Sequence, residues 1–174
     1  EGMKVMLDLH TAPGSQNGFD NGGIEGVFTW HLDPKNVDVT VAVLGEIAKR
    51  YRNHPALHSI QVLNEPHWTM PLEILGGFYD RAYAVLRTIL RPETAIVFHD
   101  GFRFEPWEAF FAARKWHNVI LDTHLYQCFN EKFRTMPAEE FIAYPYTLLP
   151  MLEGMEKTVP VIVGEFSLGA HQIA

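Results

Sequence analysis

Five short apolar runs recur along the chain: Lys4–Leu9 (KVMLDL), Ser59–Leu63 (SIQVL), Thr94–Phe98 (TAIVF), Asn118–Leu121 (NVIL) and Pro160–Val163 (PVIV). Each is continuous rather than alternating, the pattern of strands covered on both faces in a parallel sheet. Parallel neighbours need long crossovers, and helical patterns fill the gaps. Val37, Val41, Leu44, Ala48 and Tyr51 recur at helical spacing behind Asp33 or Asn36 as a cap. Leu72, Leu75, Tyr79, Ala82, Leu86 and Leu90 form a second stripe, and a shorter helix is expected over Glu108–Arg114. Ala138–Lys157 also reads helical, with Pro145 and Pro150 expected to interrupt it. The order is β-α-β-α, with no repeat and no linker marking a second domain.

The irregular segments differ by which strand end they follow. After the five runs come HTAPGSQNGFDNGG, NEPHWTMP, HDGFRFEPW, DTHLYQCF and GEFSLGAH, rich in polar and aromatic residues. The opposite connections, such as RYRNHPAL and RPE, are plainer. An open doubly wound sheet binds ligands at one switch point along its carboxyl edge. A (β/α)8 barrel gathers its active site from the carboxyl ends of many strands, and here all five carry candidate groups. A barrel-type α/β fold is therefore expected.

Composition removes several classes. The 174 residues are 47 % hydrophobic and 13 % aromatic, enough for a packed core. With 21 acidic and 14 basic residues the formal net charge is −7, against a nucleic-acid partner. Cys128 is the sole cysteine, so neither an internal disulfide nor a thiolate metal cluster can form within these residues. No apolar run approaches the roughly 20 residues of a membrane span. The glycine-rich loop matches neither phosphate-binding fingerprint.

Glu65 and Glu165 each end an apolar run. A carboxylate at the end of a buried strand costs several kcal/mol unless it is paired. One alone reads most simply as a helix cap or an ion-pair partner. Two facing one cavity are the equipment of glycoside hydrolysis, one as acid/base and the other as nucleophile or base. Asn64 can bond a sugar hydroxyl in both directions. His10, His99 and His124 also end strands, but they lack the spacing of a metal-binding helix or knuckle, so no metal is expected. Tyr126 shares a strand face with His124, within reach of a carboxylate. Phe19, Trp30, Trp68, Phe102 and Trp107 lie in or near the long loops, where aromatic faces can pack on sugar rings.

LDLHTAPGSQNGFDNGG, VLNEP, HDGF, DTHLYQCF and VGEFS together resemble glycoside hydrolase family 5 of clan A, most closely its exo-β-1,3-glucanase branch. The resemblance implies a retaining glycosidase acting on β-glucan without metal or organic cofactor, with Glu65 as acid/base and Glu165 as nucleophile. It implies that His10, Asn64, His124 and Tyr126 surround the sugar at the cleaved bond, that Asp20 binds the terminal glucose, and that Phe19 and Phe102 clamp the pocket mouth. Partial desolvation and the second carboxylate would favour neutral Glu65. Within the clan, an endo-acting cellulase or mannanase is the alternative; outside it, a non-catalytic carbohydrate-binding piece. The family has eight strands, so residues 1–174 are expected to form a single incomplete catalytic domain, a partial TIM barrel of about five strand-helix units matching the third to seventh. An extracellular or cell-surface setting is implied by the resemblance alone.

Overall fold

Five strands pair in parallel in chain order: β1 (Val5–Asp8), β2 (Leu57–Gln61), β3 (Ala95–His99), β4 (Val119–Leu125) and β5 (Val161–Phe166). This is a computed structural model, and it describes residues 2–167 and 169. The far part of the GEFSLGAH segment, Leu168 and 170–174, lies outside the described residues. Each crossover carries α-helix or a long loop, so the sheet curls into half of a (β/α)8 barrel. The registers are continuous except for shifts at Val5/Met6 and Thr123/His124. The second shift lies beside the candidate site, where bulges commonly re-aim side chains.

Helix α1 (Pro34–Tyr51) starts where its cap demands: the Asp33 carboxylate accepts the Lys35 N–H at 2.9 Å, and Pro34 fills the first turn. Its stripe of Val37, Val41, Leu44 and Ala48 is buried, as is the Leu75–Phe78–Tyr79–Ala82–Leu86 face of α2 (Leu72–Ile89). These helices cover β2 and β3, whose residues are buried but for His58. Helix α3 (Pro106–Ala112) begins two residues earlier than expected, because Pro106 suits a helix's first turn.

Two expectations need correction. The outer strands are not covered on both faces: Val5, Met6 and Val163 are exposed, since β1 and β5 each have one neighbouring strand. Nor does Pro145 interrupt the last helical region. Helix α4 (Ala138–Thr147) runs through it, and the break falls at Leu148, before α5 (Leu149–Glu156). Proline at 145 cannot donate to the Phe141 carbonyl, but the Gln127 side-chain amide does so instead, at 2.7 Å. Pro150 sits in the first turn of α5, where its missing N–H costs nothing.

Candidate active site

The carboxyl ends of the strands converge on His124. Its Nδ1 lies 2.8 Å from Glu65 Oε1 and 3.5 Å from Glu165 Oε2, and its Nε2 lies 3.2 Å from Asp122 Oδ2. Both ring nitrogens face carboxylates, so the ring carries both protons. Burial works against that charge, but the bonds to Asp122 and Glu65, with the charges of Asp122 and Glu165, raise its pKa from 6.5 to about 10. The nearest oxygens of Glu65 and Glu165 can be no farther apart than their two contacts with Nδ1 laid end to end.

Glu65 follows β2 in a left-handed backbone conformation (φ 42°), which L-residues adopt only at a cost. The surroundings hold it there. Buried Gln16 donates from its amide to the carbonyls of both His10 and Asn64 at 2.9 Å, and its own carbonyl accepts the Ala12 N–H. The Asn64 N–H donates to the Leu9 carbonyl and the His67 N–H to the Gln16 carbonyl, so the first loop is stitched to the NEP turn. Asn17 then donates to the Asn21 side-chain oxygen, and the Asn21 amide donates to Glu65 Oε2 at 2.6 Å. The expected neutral Glu65 is corrected by these bonds. Burial raises its pKa, but hydrogen bonds from His124 and Asn21 prevail and leave it below its ordinary 4.5.

Glu165 stands on β5, where Tyr126 Oη donates to its Oε2 at 2.8 Å. That bond, after burial, lifts the phenol to about 12, so it remains a donor. Asp122 ties the two halves together: one oxygen faces His124, and the other accepts the Gly164 N–H at 2.7 Å. A Cβ at position 164 would fall 2.5 Å from both Asp122 oxygens, which requires glycine there.

The remaining sequence candidates are spread around this centre. His10 pairs with Asp8 at 2.6 Å through Nδ1 and meets Asn64 Nδ2 at 3.4 Å through Nε2. Phe19 and Phe102 lie 6.4 Å apart, centroid to centroid. Asp20 is exposed and accepts the Asn21 backbone N–H at 2.9 Å, one residue before the Asn21 amide that reaches Glu65. Sequence reasoning missed Gln16, Asn21 and Asp122. The first two lay hidden in a loop legible only as glycine-rich, while the even spacing of Asp122 and His124 along a strand was a usable signal.

Glu65, His99 and His124 have ligand atoms within 4.8 Å of one another, a spacing a metal could use. The donor chemistry does not fit. Both His124 nitrogens are protonated toward carboxylates, and His99 Nδ1 accepts the Gly101 N–H at 2.9 Å, leaving an N–H at Nε2. Burial first, then the charge of His124, holds His99 well below its ordinary 6.5. Glu65 and His124 share a proton across one hydrogen bond, while His99 stands beside them with its Nε2 buried and unpartnered among the described residues.

No family model matches the sequence. The chain is 34% identical over 171 residues to probable glucan 1,3-beta-glucosidase A of Aspergillus niger, covering 95% of this chain and 39% of that protein. It is 42% identical over 135 residues to the glucan 1,3-beta-glucosidase of Blumeria graminis, covering 75% and 31%. Its curated homologues are glucan 1,3-beta-glucosidases. The chain thus spans under half the length of these glucosidases. Among solved structures, the Aspergillus niger rutinosidase superposes with a TM-score of 0.75 at 19% identity, covering 97% of this chain and 50% of that one. The Thermotoga maritima endoglucanase Cel5A gives 0.62 at 21%, covering 83% and 52%. These structures share the fold, and the two glucosidases share 34% and 42% of the aligned residues.

Proposed function

We propose that residues 1–174 form part of the catalytic domain of a retaining exo-β-1,3-glucanase of the family 5 type, acting on β-glucan. The observation that carries this reading is the convergence of Glu65 and Glu165, from strands on opposite sides of β3 and β4, upon one nitrogen of His124. The two contacts laid end to end fall just short of the about 6.5 Å at which inverting pairs begin. Glucosidase homologues supply the linkage.

In this mechanism Glu165, oriented by Tyr126, attacks the anomeric carbon and forms a glycosyl-enzyme. The leaving oxygen needs a proton, which ionised Glu65 lacks. His124 holds that proton on Nδ1, 2.8 Å from Glu65 Oε1. When a sugar displaces water from the cleft, separated charges lose solvation and the neutral Glu65–His124 pair gains. Glu65 then passes the proton to the leaving oxygen, takes one from the attacking water, and returns it to His124 as the cleft reopens. His10, Asn64 and Asp20 would bond hydroxyls of the bound glucose, with Phe19 and Phe102 at the mouth. A polymeric substrate does not cross membranes, so the proposal extends to an extracellular or cell-surface setting. Among the described residues no helix is long and apolar enough to cross a membrane.

The test is to assay the full-length protein separately on laminarin and on cellulose oligosaccharides, alongside Glu165→Gln and Glu65→Gln. Glucose release from laminarin, lost in Glu165→Gln, is expected. In Glu65→Gln, activated aryl glucosides should keep slow glycosylation, since they need little protonation. Cleavage of cellulose alone would remove the β-1,3 assignment, and near-normal turnover by Glu165→Gln would remove the nucleophile.

A further inference from the structure

Three residues beyond Glu65, Trp68 stands half exposed, at 50% of its full surface. Its ring centroid lies 5.7 Å from Phe19 and 6.3 Å from Phe102, so it stands beside the mouth those two form. It is more exposed than Phe102, at 38%. An indole turned to water is free to move unless something holds it, and here a column of rings does. Trp68 stacks on His67 at 3.9 Å and 28°, and tilted contacts continue from His67 to Phe28 at 4.8 Å and from Phe28 to His31 at 4.2 Å.

The column is also fixed to the chain that carries Glu65. The His67 N–H donates to the Gln16 carbonyl and the Met70 N–H to the His67 carbonyl. The Thr69 N–H donates to His67 Nδ1 at 3.1 Å, fixing the tautomer with its proton on Nε2. Burial holds both His31 and His67 below their ordinary pKa, so the stack is uncharged at neutral pH. A rigid, uncharged aromatic face bordered by imidazole edges suits a pyranose, which offers apolar C–H faces and a rim of hydroxyls. It offers nothing to an anionic partner.

We infer that Trp68, buttressed by the His67–Phe28–His31 column, binds the second glucosyl residue on the leaving-group side of a β-glucan chain, beyond the Phe19–Phe102 mouth. This rests on the proposed glucanase activity and extends it to a preference for chains longer than two sugars. A disaccharide fills only the cleaved-bond site and the mouth. A trisaccharide is the shortest substrate to reach Trp68.

The experiment compares laminaribiose with laminaritriose in the full-length protein and its Trp68→Ala, Trp68→Phe and His67→Ala variants. Trp68→Ala should raise KM for the trisaccharide about tenfold, worth ~1.4 kcal/mol. Its kcat on both substrates and its KM for the disaccharide should stay unchanged. Trp68→Phe should restore most of the trisaccharide affinity, and His67→Ala should lose about threefold by loosening the platform. Equal losses on both substrates would put Trp68 in the mouth itself and overturn the assignment, as would no loss on either. A wild-type protein inactive on both sugars would overturn the glucanase reading and this one with it; an active wild type with an unchanged Trp68→Ala overturns this one alone.

Discussion

The two carboxylates stand on unlike walls. Glu65 follows β2, whose neighbour β3 is wholly buried, and its side chain keeps 7% of its surface. Glu165 stands on the outer strand β5 and keeps 36%; α5 packs on that strand and α4 on α5, and no residue of α4 is buried. The difference lies in who holds whom. Glu65 is clasped by Asn21 and His124 over a core of large side chains, so its position is dictated by packing. Glu165 is held by Tyr126 and, one residue back, by the Gly164–Asp122 bond. Preorganisation is concentrated on one wall, and Asp122 relays it to the other.

The largest effect should come from hollowing the packed wall. Phe98 is fully buried, with ring centroids 4.9 Å from Tyr79 and 5.1 Å from Trp116. Phe98→Ala should cost about 3–5 kcal/mol. Ile142→Ala on α4, at a site 70% exposed, should fall within about 0.5 kcal/mol of wild type. Urea unfolding of the two variants decides; equal losses would erase the contrast between walls.

Cutting the relay should come next. Asp122→Asn removes one charge from His124, whose pKa should fall from about 10 toward its ordinary 6.5. A raised pKa means that the proton stabilises the fold fully below 6.5 and that this is lost as pH climbs through about 10. The variant should lose it at lower pH, with turnover down about 100-fold, the low end of the scale on which acid–base contributions operate. NMR titration of the imidazole tests this, and an unmoved pKa would show that Glu65 alone sets the charge.

The smallest effect is expected at the mouth. Buried Asp100 accepts the Thr123 hydroxyl and the Phe102 N–H, each at 2.7 Å, steadying the left-handed turn at Gly101 and Phe102. Burial, against those bonds, raises its pKa from 3.8 to about 6. Its protonated form therefore favours folding below 3.8, and that contribution disappears as pH rises through about 6. Asp100→Asn should flatten stability across this window. A thermal-melt series from pH 3.5 to pH 6.5 that keeps the wild-type slope would locate the titration elsewhere.

The strands were legible because burial writes continuous apolar runs, and the glutamates because each ends one. The reading stopped short where buried residues are polar. β4 was expected to end at Leu121 but continues to Leu125. Asp122, Thr123 and His124 break the apolar pattern yet lie buried, satisfied by one another, by Asp100 and by Glu65. Asn21 was illegible for another reason: its partner lies 44 residues away, and no local spacing encodes that reach. The charge on Glu65 was misread because a sequence shows that a carboxylate is buried before it shows what bonds it.

The Gln127 amide on the Phe141 carbonyl gives two positions an order in which they can change. Replacing Pro145 by alanine first is harmless, since the restored N–H and Gln127 can share an oxygen with two lone pairs. Replacing Gln127 first leaves that part-buried carbonyl to water, at about 0.5–1.5 kcal/mol, the net worth of one hydrogen bond. Drift through this pair is thus a one-way street: descendants can shed the proline at once, but the glutamine only afterwards. A double-mutant cycle of Gln127→Leu and Pro145→Ala reads the direction, and additive losses would show that no such order exists.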